Sequence, residues 1–91
     1  MATNFKVFKT RNCNRLHLNL HGDFDGISAH QLIDILDKYS RNVTKVIVHT
    51  TYLKQIHPFG CNVFHAEFKN LKISPLEIEF TGQNADKIAP Q

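Results

Sequence analysis

Several features that mark other protein classes are absent or scarce in this chain of 91 residues. It contains no tryptophan, and its four glycines and three prolines form no repeat or low-complexity tract. No apolar run approaches the roughly 20 residues that a helix needs to cross a bilayer. The N-terminal segment MATNFKVFKTRN lacks the apolar core of a secretory signal. We therefore expect a cytoplasmic protein without a transmembrane segment.

Cysteine is scarce as well, which bears on both disulfides and metal sites. The two cysteines, Cys13 and Cys61, lie far apart, and neither belongs to a C-x-x-C pair. In a cytosolic chain we expect such cysteines to stay free thiols, and a single bridge between them is the alternative.

The charge balance is mild. Eleven Lys and Arg residues against eight Asp and Glu residues give a formal net charge of +3. Lys6, Lys9, Arg11 and Arg15 form a small basic patch, but a nucleic-acid surface normally has a denser stripe with interleaved aromatic residues. We therefore predict no nucleic-acid partner. Hydrophobic residues make up 42% of the chain, which is typical of a globular protein, and we expect one domain over 1–91.

Alternation of apolar and polar residues marks the predicted strands. Residues 15–22, RLHLNLHG, place three leucines on one side and polar side chains on the other, which predicts a half-buried strand. The preceding FKVF segment, residues 5–8, predicts a second strand that forms an antiparallel hairpin with it through a turn at 10–14. Residues 75–80 alternate in the same way and predict the last strand.

Helical spacing marks two further segments. The first, 28–39, opens with the spacing of a capping box, and the second covers 61–72 with its apolar residues on one side. Between them, residues 44–50 indicate a strand buried on both faces, followed by a loop over 51–60. The tail, 84–91, predicts one helical turn capped by its first residue, or a frayed end.

These elements predict an α/β fold around one small mixed sheet of four to five strands. Their order is β-β-α-β-α-β, in which each strand–helix–strand crossover joins parallel strands and is right-handed. The hairpin adds an antiparallel edge. The polar sides of two strands indicate that one sheet face is partly open to water, so the helices pack mainly on the other.

Two segments resemble the STAS domain, a family named for sulphate transporters and anti-sigma-factor antagonists. LHLNLHGDFDGISAHQL, residues 16–32, is similar to the family's strand, Gly-x-Leu-Asp turn and first helix. VIVHTTYLKQIHPFGCNVF, residues 46–64, is similar to its central strand and the loop that enters the second helix. The resemblance implies the STAS fold over nearly the whole chain. It also implies a non-enzymatic role in protein binding, with no cofactor.

The regulatory loop departs from the family's pattern. Ile56–Gly60 fall where regulatory members read Ile-Asp-Ser-Ser-Gly, so Pro58 stands where the first serine accepts a phosphate from a partner kinase. Proline has no hydroxyl, and Phe59 cannot replace one. His57 takes the place of the loop aspartate, and His49 the place of an aspartate in the central strand. The resemblance therefore implies docking without the serine switch.

We predict that the partner-binding surface is the corner at the start of the second helix. Its residues are Lys54, His57, Pro58, Phe59, Gly60 and His65. The alternative is that Phe59 is tucked into the core and the segment is an ordinary helix start. The resemblance implies a kinase-like anti-sigma factor, or another regulatory or transporter subunit, as the partner. A homodimer through the same surface or an edge strand is a second expectation.

A metal site is the least favoured alternative. His49, His57 and His65 would have to converge at one end of the sheet, since zinc needs three or four ligands. No H-x-x-x-H pair lies in a helix and no cysteine pair lies nearby, so we predict no metal. A small-ligand or lipid-binding subunit of a transport system is the remaining alternative function, and modification of Thr50 or Thr51 in place of the serine stays open.

Two further polar groups have simpler interpretations than catalysis. Asp23 and Asp25, with His21, lack a recognisable catalytic context, and we expect the carboxylates to support the turn and the start of the first helix. His17 and His21 lie on the polar side of their strand. If Glu77 and Glu79 face them from a neighbouring strand, that surface would respond to pH near about 6.5. Otherwise it is a solvated sheet face.

Overall fold

The computed structural model describes residues 4–39, 43–71 and 77–89. It opens with the predicted antiparallel hairpin, formed by β1 (Lys6–Asn12) and β2 (Arg15–Phe24). Cys13 turns the chain between them in the left-handed region, with φ of 57°. The predicted β1 ended at residue 8, because this exposed edge strand shows no alternation of burial, and β2 continues two residues beyond its predicted end.

The remaining elements complete a five-stranded mixed sheet. They are α1 (Gly26–Tyr39), β3 (Lys45–His49), β4 (Leu53–Ile56), α2 (Pro58–Phe68), β5 (Glu77–Thr81) and α3 (Ala85–Ile88). The strand order is β1-β2-β3-β5, and β3 pairs in parallel with both β2 and β5. The predicted fold class is confirmed.

One strand was missed. The predicted loop 51–60 contains β4, which pairs in parallel with the end of β2 through Gly22 and Leu53. Four residues are too few to show alternation, and two of them, Lys54 and Gln55, are exposed. The prediction that α2 starts at residue 61 is wrong by three residues.

The core lies between the helices and one face of the sheet. Three β2 leucines, two β3 valines and the α2 residue Phe64 are almost fully buried in a single cluster with the apolar stripe of α1. As predicted, β3 is buried on both faces, since Ile47 on the opposite side is only 7% exposed. Burying these side chains is the main stabilising contribution, at about 25 cal/mol for each Å² of apolar surface.

The predicted C-terminal turn is present as α3. Its Ile88 is fully buried in the same core, which fixes the tail to the domain. Asn84 occupies the predicted cap position, but its side chain makes no cap hydrogen bond. Instead, its Nδ2 donates to the carbonyl of Thr50 at 3.2 Å, which ties the start of α3 to the end of β3.

Candidate functional site

The start of α2 lies directly against the start of α1. The His57 backbone N–H donates to the carbonyl of the last β2 residue at 2.9 Å, which continues the β4–β2 pairing. A Cβ on Gly60 would lie 2.7–2.8 Å from backbone atoms of Asp25, so this approach requires glycine. We call the surface formed by residues 25–27 and 57–59 the helix corner.

Phe59 is exposed at the helix corner rather than tucked into the core. The residue is 69% exposed, and its ring lies over Gly26, where an added Cβ would be 2.9 Å from Cε2. Ile27, the next residue along α1, is 44% exposed, and Pro58 is exposed as well. Exposed apolar residues on two helix starts that lie against each other are characteristic of interaction surfaces.

Asp25 caps α1 and thereby shapes one half of the corner. Its Oδ1 accepts the Ser28 backbone N–H at 2.9 Å and lies 3.1 Å from the Ser28 hydroxyl, which also donates to the carbonyl of Asp23 at 2.8 Å. Burial pushes the pKa of Asp25 upward, but hydrogen bonds, chiefly those from Ser28, act in the opposite direction, and the pKa lies below its usual value. The predicted cap at Ser28 is therefore wrong, and the expected structural role of this carboxylate is confirmed.

The six residues predicted to bind a partner do not all share one surface. Lys54, His57, Pro58 and Phe59 are exposed around the turn that leads into α2. Gly60 is buried, so it permits the approach of the two helices but offers no contact surface. His65 is half-buried and turned toward α3, where its Nε2 donates to the carbonyl of Ile88 at 3.0 Å.

Sequence reasoning missed the contribution of α1 to this surface. Ile27 lies outside the buried stripe of α1, and Gly26 lies beneath the Phe59 ring. The available signal was a large β-branched residue placed directly after the GDFDG turn and out of phase with the apolar stripe.

The two threonines after β3 differ in access. Thr50 is fully buried, its hydroxyl donates to the carbonyl of Thr81 at 2.8 Å, and its oxygen accepts the Asn84 backbone N–H at 3.2 Å. Thr51 is exposed. A kinase could therefore reach the Thr50 hydroxyl only if its hydrogen bonds to Thr81 and Asn84 were broken.

The other sheet face carries a cluster of histidines. His17 Nδ1 and His49 Nε2 are 3.0 Å apart with rings nearly parallel, and Thr81 Oγ1 lies 3.0 Å from His49 Nδ1. Burial lowers the pKa of His49, as does the nearby His17, while Glu79 opposes the shift. The condition that Glu77 and Glu79 face His17 and His21 from a neighbouring strand is not met, because β3 lies between β2 and β5 and Glu79 pairs with Ile47.

The three histidines considered for a metal have different surroundings. His49 contacts the other sheet-face side chains, His57 is exposed at the helix corner, and His65 bonds to the α3 backbone. Within residues 4–39, 43–71 and 77–89, no group of three or more His, Cys, Asp or Glu side chains is placed to hold a metal ion.

Solved structures with the same architecture show what the fold is. The anti-sigma factor antagonist SpoIIAA in its unphosphorylated form is 13% identical over 93% of this chain and 80% of its own, with a TM-score of 0.64. An antisigma-factor antagonist STAS domain from Rhodobacter sphaeroides is 10% identical over 91% of both chains, with a TM-score of 0.69. The fold is that of a STAS domain. At these identities the likeness concerns the fold alone.

A part of a larger protein also has this fold. Mglu in its native form is 17% identical with a TM-score of 0.71, over 85% of this chain. The present chain spans only 23% of that Mglu chain. No family model and no curated protein matches the sequence. In the described part of the chain, no helix has the length and apolar character needed to span a membrane.

Proposed function

We propose that this chain is a non-enzymatic protein-binding module that docks a regulatory partner through the helix corner. The exposed Phe59 ring carries the proposal. An aromatic side chain that is 69% exposed, beside the exposed Ile27 and Pro58, supplies the apolar anchor around which binding energy concentrates in protein interfaces.

The local backbone supports this role because it holds the anchor in place. The turn before α2 is fixed by its hydrogen bond to β2, and the close approach at Gly60 joins both helix starts. Pro58 at the first position of α2 restricts φ further. A rigid anchor loses less conformational entropy on binding than a mobile one, so more of the contact energy remains as affinity.

Docking is proposed to lack phosphorylation control at the corner. Pro58 occupies the position of the phosphoacceptor serine in the family that the sequence resembles, and neither it nor Phe59 carries a hydroxyl. The extent of association would then follow partner concentration. The fold shared with SpoIIAA and the Rhodobacter antagonist favours a kinase-like anti-sigma factor as the partner, or a related regulatory or transporter subunit, in the cytoplasm.

The test starts from affinity capture with the whole chain and mass spectrometry, followed by reconstitution with the purified candidate. Phe59→Ala removes the anchor, and Pro58→Glu places a charge within the apolar surface. Both are expected to abolish stoichiometric capture. Phe8→Ala is the matched control, because Phe8 is also a strongly exposed phenylalanine (54%) but lies on β1. Capture that survives both corner variants contradicts the proposal.

A separate assay addresses phosphorylation. Incubation of the chain with the captured kinase-like partner and ATP is expected to leave residues 57–60 without phosphate. Phosphate on the exposed Thr51 would show that the switch has moved to a neighbouring hydroxyl, and this part of the proposal would then be wrong.

A further inference from the structure

A groove of about 420 Å³ lies between α2 and α3. Its described lining residues are Ile56, Pro58, Cys61, Asn62, His65 and Lys87. This volume falls within the range of about 300–1,000 Å³ found for small-molecule sites. Apart from Pro58, the lining does not overlap the helix corner, so the groove is a separate surface feature.

The α3 wall of the groove is held in place at three points. Ile88 is fully buried beneath it. The His65 Nε2–H donates to the Ile88 carbonyl at 3.0 Å, which also assigns the proton of a neutral His65 to Nε2. At the other end of α3, Asn84 bonds to Thr50 through both its backbone N–H and its side-chain amide. Lys87 is thus carried by an anchored turn.

The charge on the described lining has one sign. None of these lining residues is acidic, and Lys87 contributes a full positive charge. Burial raises the pKa of the Cys61 thiol, and the charge of Lys87 works against that shift. The carboxylate next to it in sequence, Asp86, lines a separate groove on the other side of α3.

The rest of the lining is mainly apolar. Ile56 is half-buried, Cys61 is buried, and the Pro58 ring has no backbone N–H to offer. Asn62 supplies an amide that can donate to a carboxylate oxygen beside Lys87. The lining therefore combines a positive charge and an amide, which favour an anion, with apolar surface from Ile56, Pro58 and Cys61, which favours hydrocarbon.

We propose that the α2–α3 groove binds a small carboxylate with a short aliphatic tail. The carboxylate pairs with the Lys87 ammonium and accepts from the Asn62 amide, and the tail lies against Ile56, Pro58 and Cys61. Sulfate or phosphate would interact only with the polar groups of the lining. An uncharged aliphatic alcohol would interact only with its apolar part. This difference between probe molecules makes the site testable without knowing the natural ligand.

The experiment is a titration of the isotope-labelled full chain with sodium octanoate, followed by NMR at constant ionic strength. Parallel titrations use inorganic phosphate and 1-octanol. Octanoate is expected to give saturable shifts at residues 61, 62, 65 and 87, with a dissociation constant at least tenfold lower than that of either other probe. Equal or tighter binding of phosphate or octanol would overturn the proposal, as would octanoate shifts that do not saturate.

A pair of lysine variants and one chemical probe complete the test. Lys87→Gln is expected to weaken octanoate binding at least tenfold, whereas Lys54→Gln, an exposed lysine outside the lining, should change it less than twofold. In the unaltered chain, octanoate should slow alkylation of Cys61 without slowing that of the exposed Cys13. Equal effects of the two lysine variants, or undiminished alkylation of Cys61, would contradict the assignment.

Discussion

The helix corner and the open face of the sheet both expose aromatic rings, but the rings differ in what they touch. On the sheet face, the His21 ring lies 4.8 Å from the Phe8 ring in an edge-on contact and 4.8 Å from the Tyr52 ring in a stack. At the corner, the Phe59 ring lies over the backbone of Gly26, and within the described residues it makes no ring contact. An exposed ring packed against other rings contributes to the fold, whereas one held over a glycine remains available for a partner.

The two regions also differ in how their contacts are formed. On the sheet face, the His17–His49 contact lies across strands that pair directly, so its geometry follows from the register of β2 and β3. At the corner, Asp25 and Gly60 bring together two helix starts that are remote in sequence. The corner therefore depends on a few close backbone contacts, and single substitutions there should have the larger effects.

The largest effect is expected for Gly60→Ala. The added Cβ would lie 2.7–2.8 Å from the backbone of Asp25, which cannot move as a side chain can. Overpacking of this kind costs about 1–3 kcal/mol in the free energy of unfolding, measurable by urea denaturation. Gly26→Ala is the control, because the atoms in its way belong to the end of the exposed Phe59 side chain and not to backbone, and it should cost less than half as much.

A smaller loss is expected for Asp25→Ala. Removing the cap leaves the Ser28 N–H without its acceptor and should lower the free energy of unfolding by about 1 kcal/mol. Because the folded pKa of Asp25 is lowered, its contribution is present above the unfolded pKa near 4 and is lost as pH falls through the folded pKa. The difference between Asp25→Ala and the unaltered chain should therefore shrink in acid. A difference that does not decrease down to the lowest pH at which both proteins stay folded would contradict the capping role.

Substitution of the two exposed phenylalanines should affect stability and binding in opposite order. Phe8→Ala should cost more stability, and Phe59→Ala should cost more partner binding. Phe8→Ala removes the edge contact with His21 and is expected to lower the free energy of unfolding by about 0.5–1 kcal/mol. Phe59→Ala should change it by less than about 0.5 kcal/mol, since the residue is mostly exposed. Thermal and urea unfolding of both variants test this directly. A large loss for Phe59→Ala would show that the ring belongs to the core.

The smallest effect is expected for the pH dependence of stability that arises from His49 on the sheet face. The pKa of His49 is lowered by burial and by His17, so the folded chain binds fewer protons there than the unfolded chain. The stabilising contribution of neutral His49 is therefore present above the unfolded pKa near 6.5 and decreases as pH falls below it. His49→Gln should flatten the stability profile between pH 7.5 and 5. An unchanged slope in this variant would assign the pH response to other groups.

Strongly periodic elements were predictable because their burial repeats along the chain. The β2 leucines and the apolar stripe of α1 each mark one buried face. Their spacing predicted the bounds of the strand and the helix to within a few residues. Leu53–Ile56 gave no such signal, because a four-residue strand that adds to the end of β2 is defined by its partner.

The corner was predictable in position but not in detail. Pro58 and Gly60 marked the start of α2, yet the position of the Phe59 ring depends on the absence of a side chain at Gly26, in a different helix. The turn of His65 toward α3 likewise depends on where Ile88 is buried. Contacts between distant segments of this kind leave no periodic trace in one sequence.

The most direct measurement of the central claim is calorimetric titration of the reconstituted partner with the unaltered chain, Phe59→Ala and Phe8→Ala. Removal of a central aromatic anchor typically costs at least about 2 kcal/mol of binding free energy. The dissociation constant should therefore rise roughly thirtyfold for Phe59→Ala and less than about threefold for Phe8→Ala. Equal affinities for Phe59→Ala and the unaltered chain, or a larger loss for Phe8→Ala, would contradict docking through the helix corner.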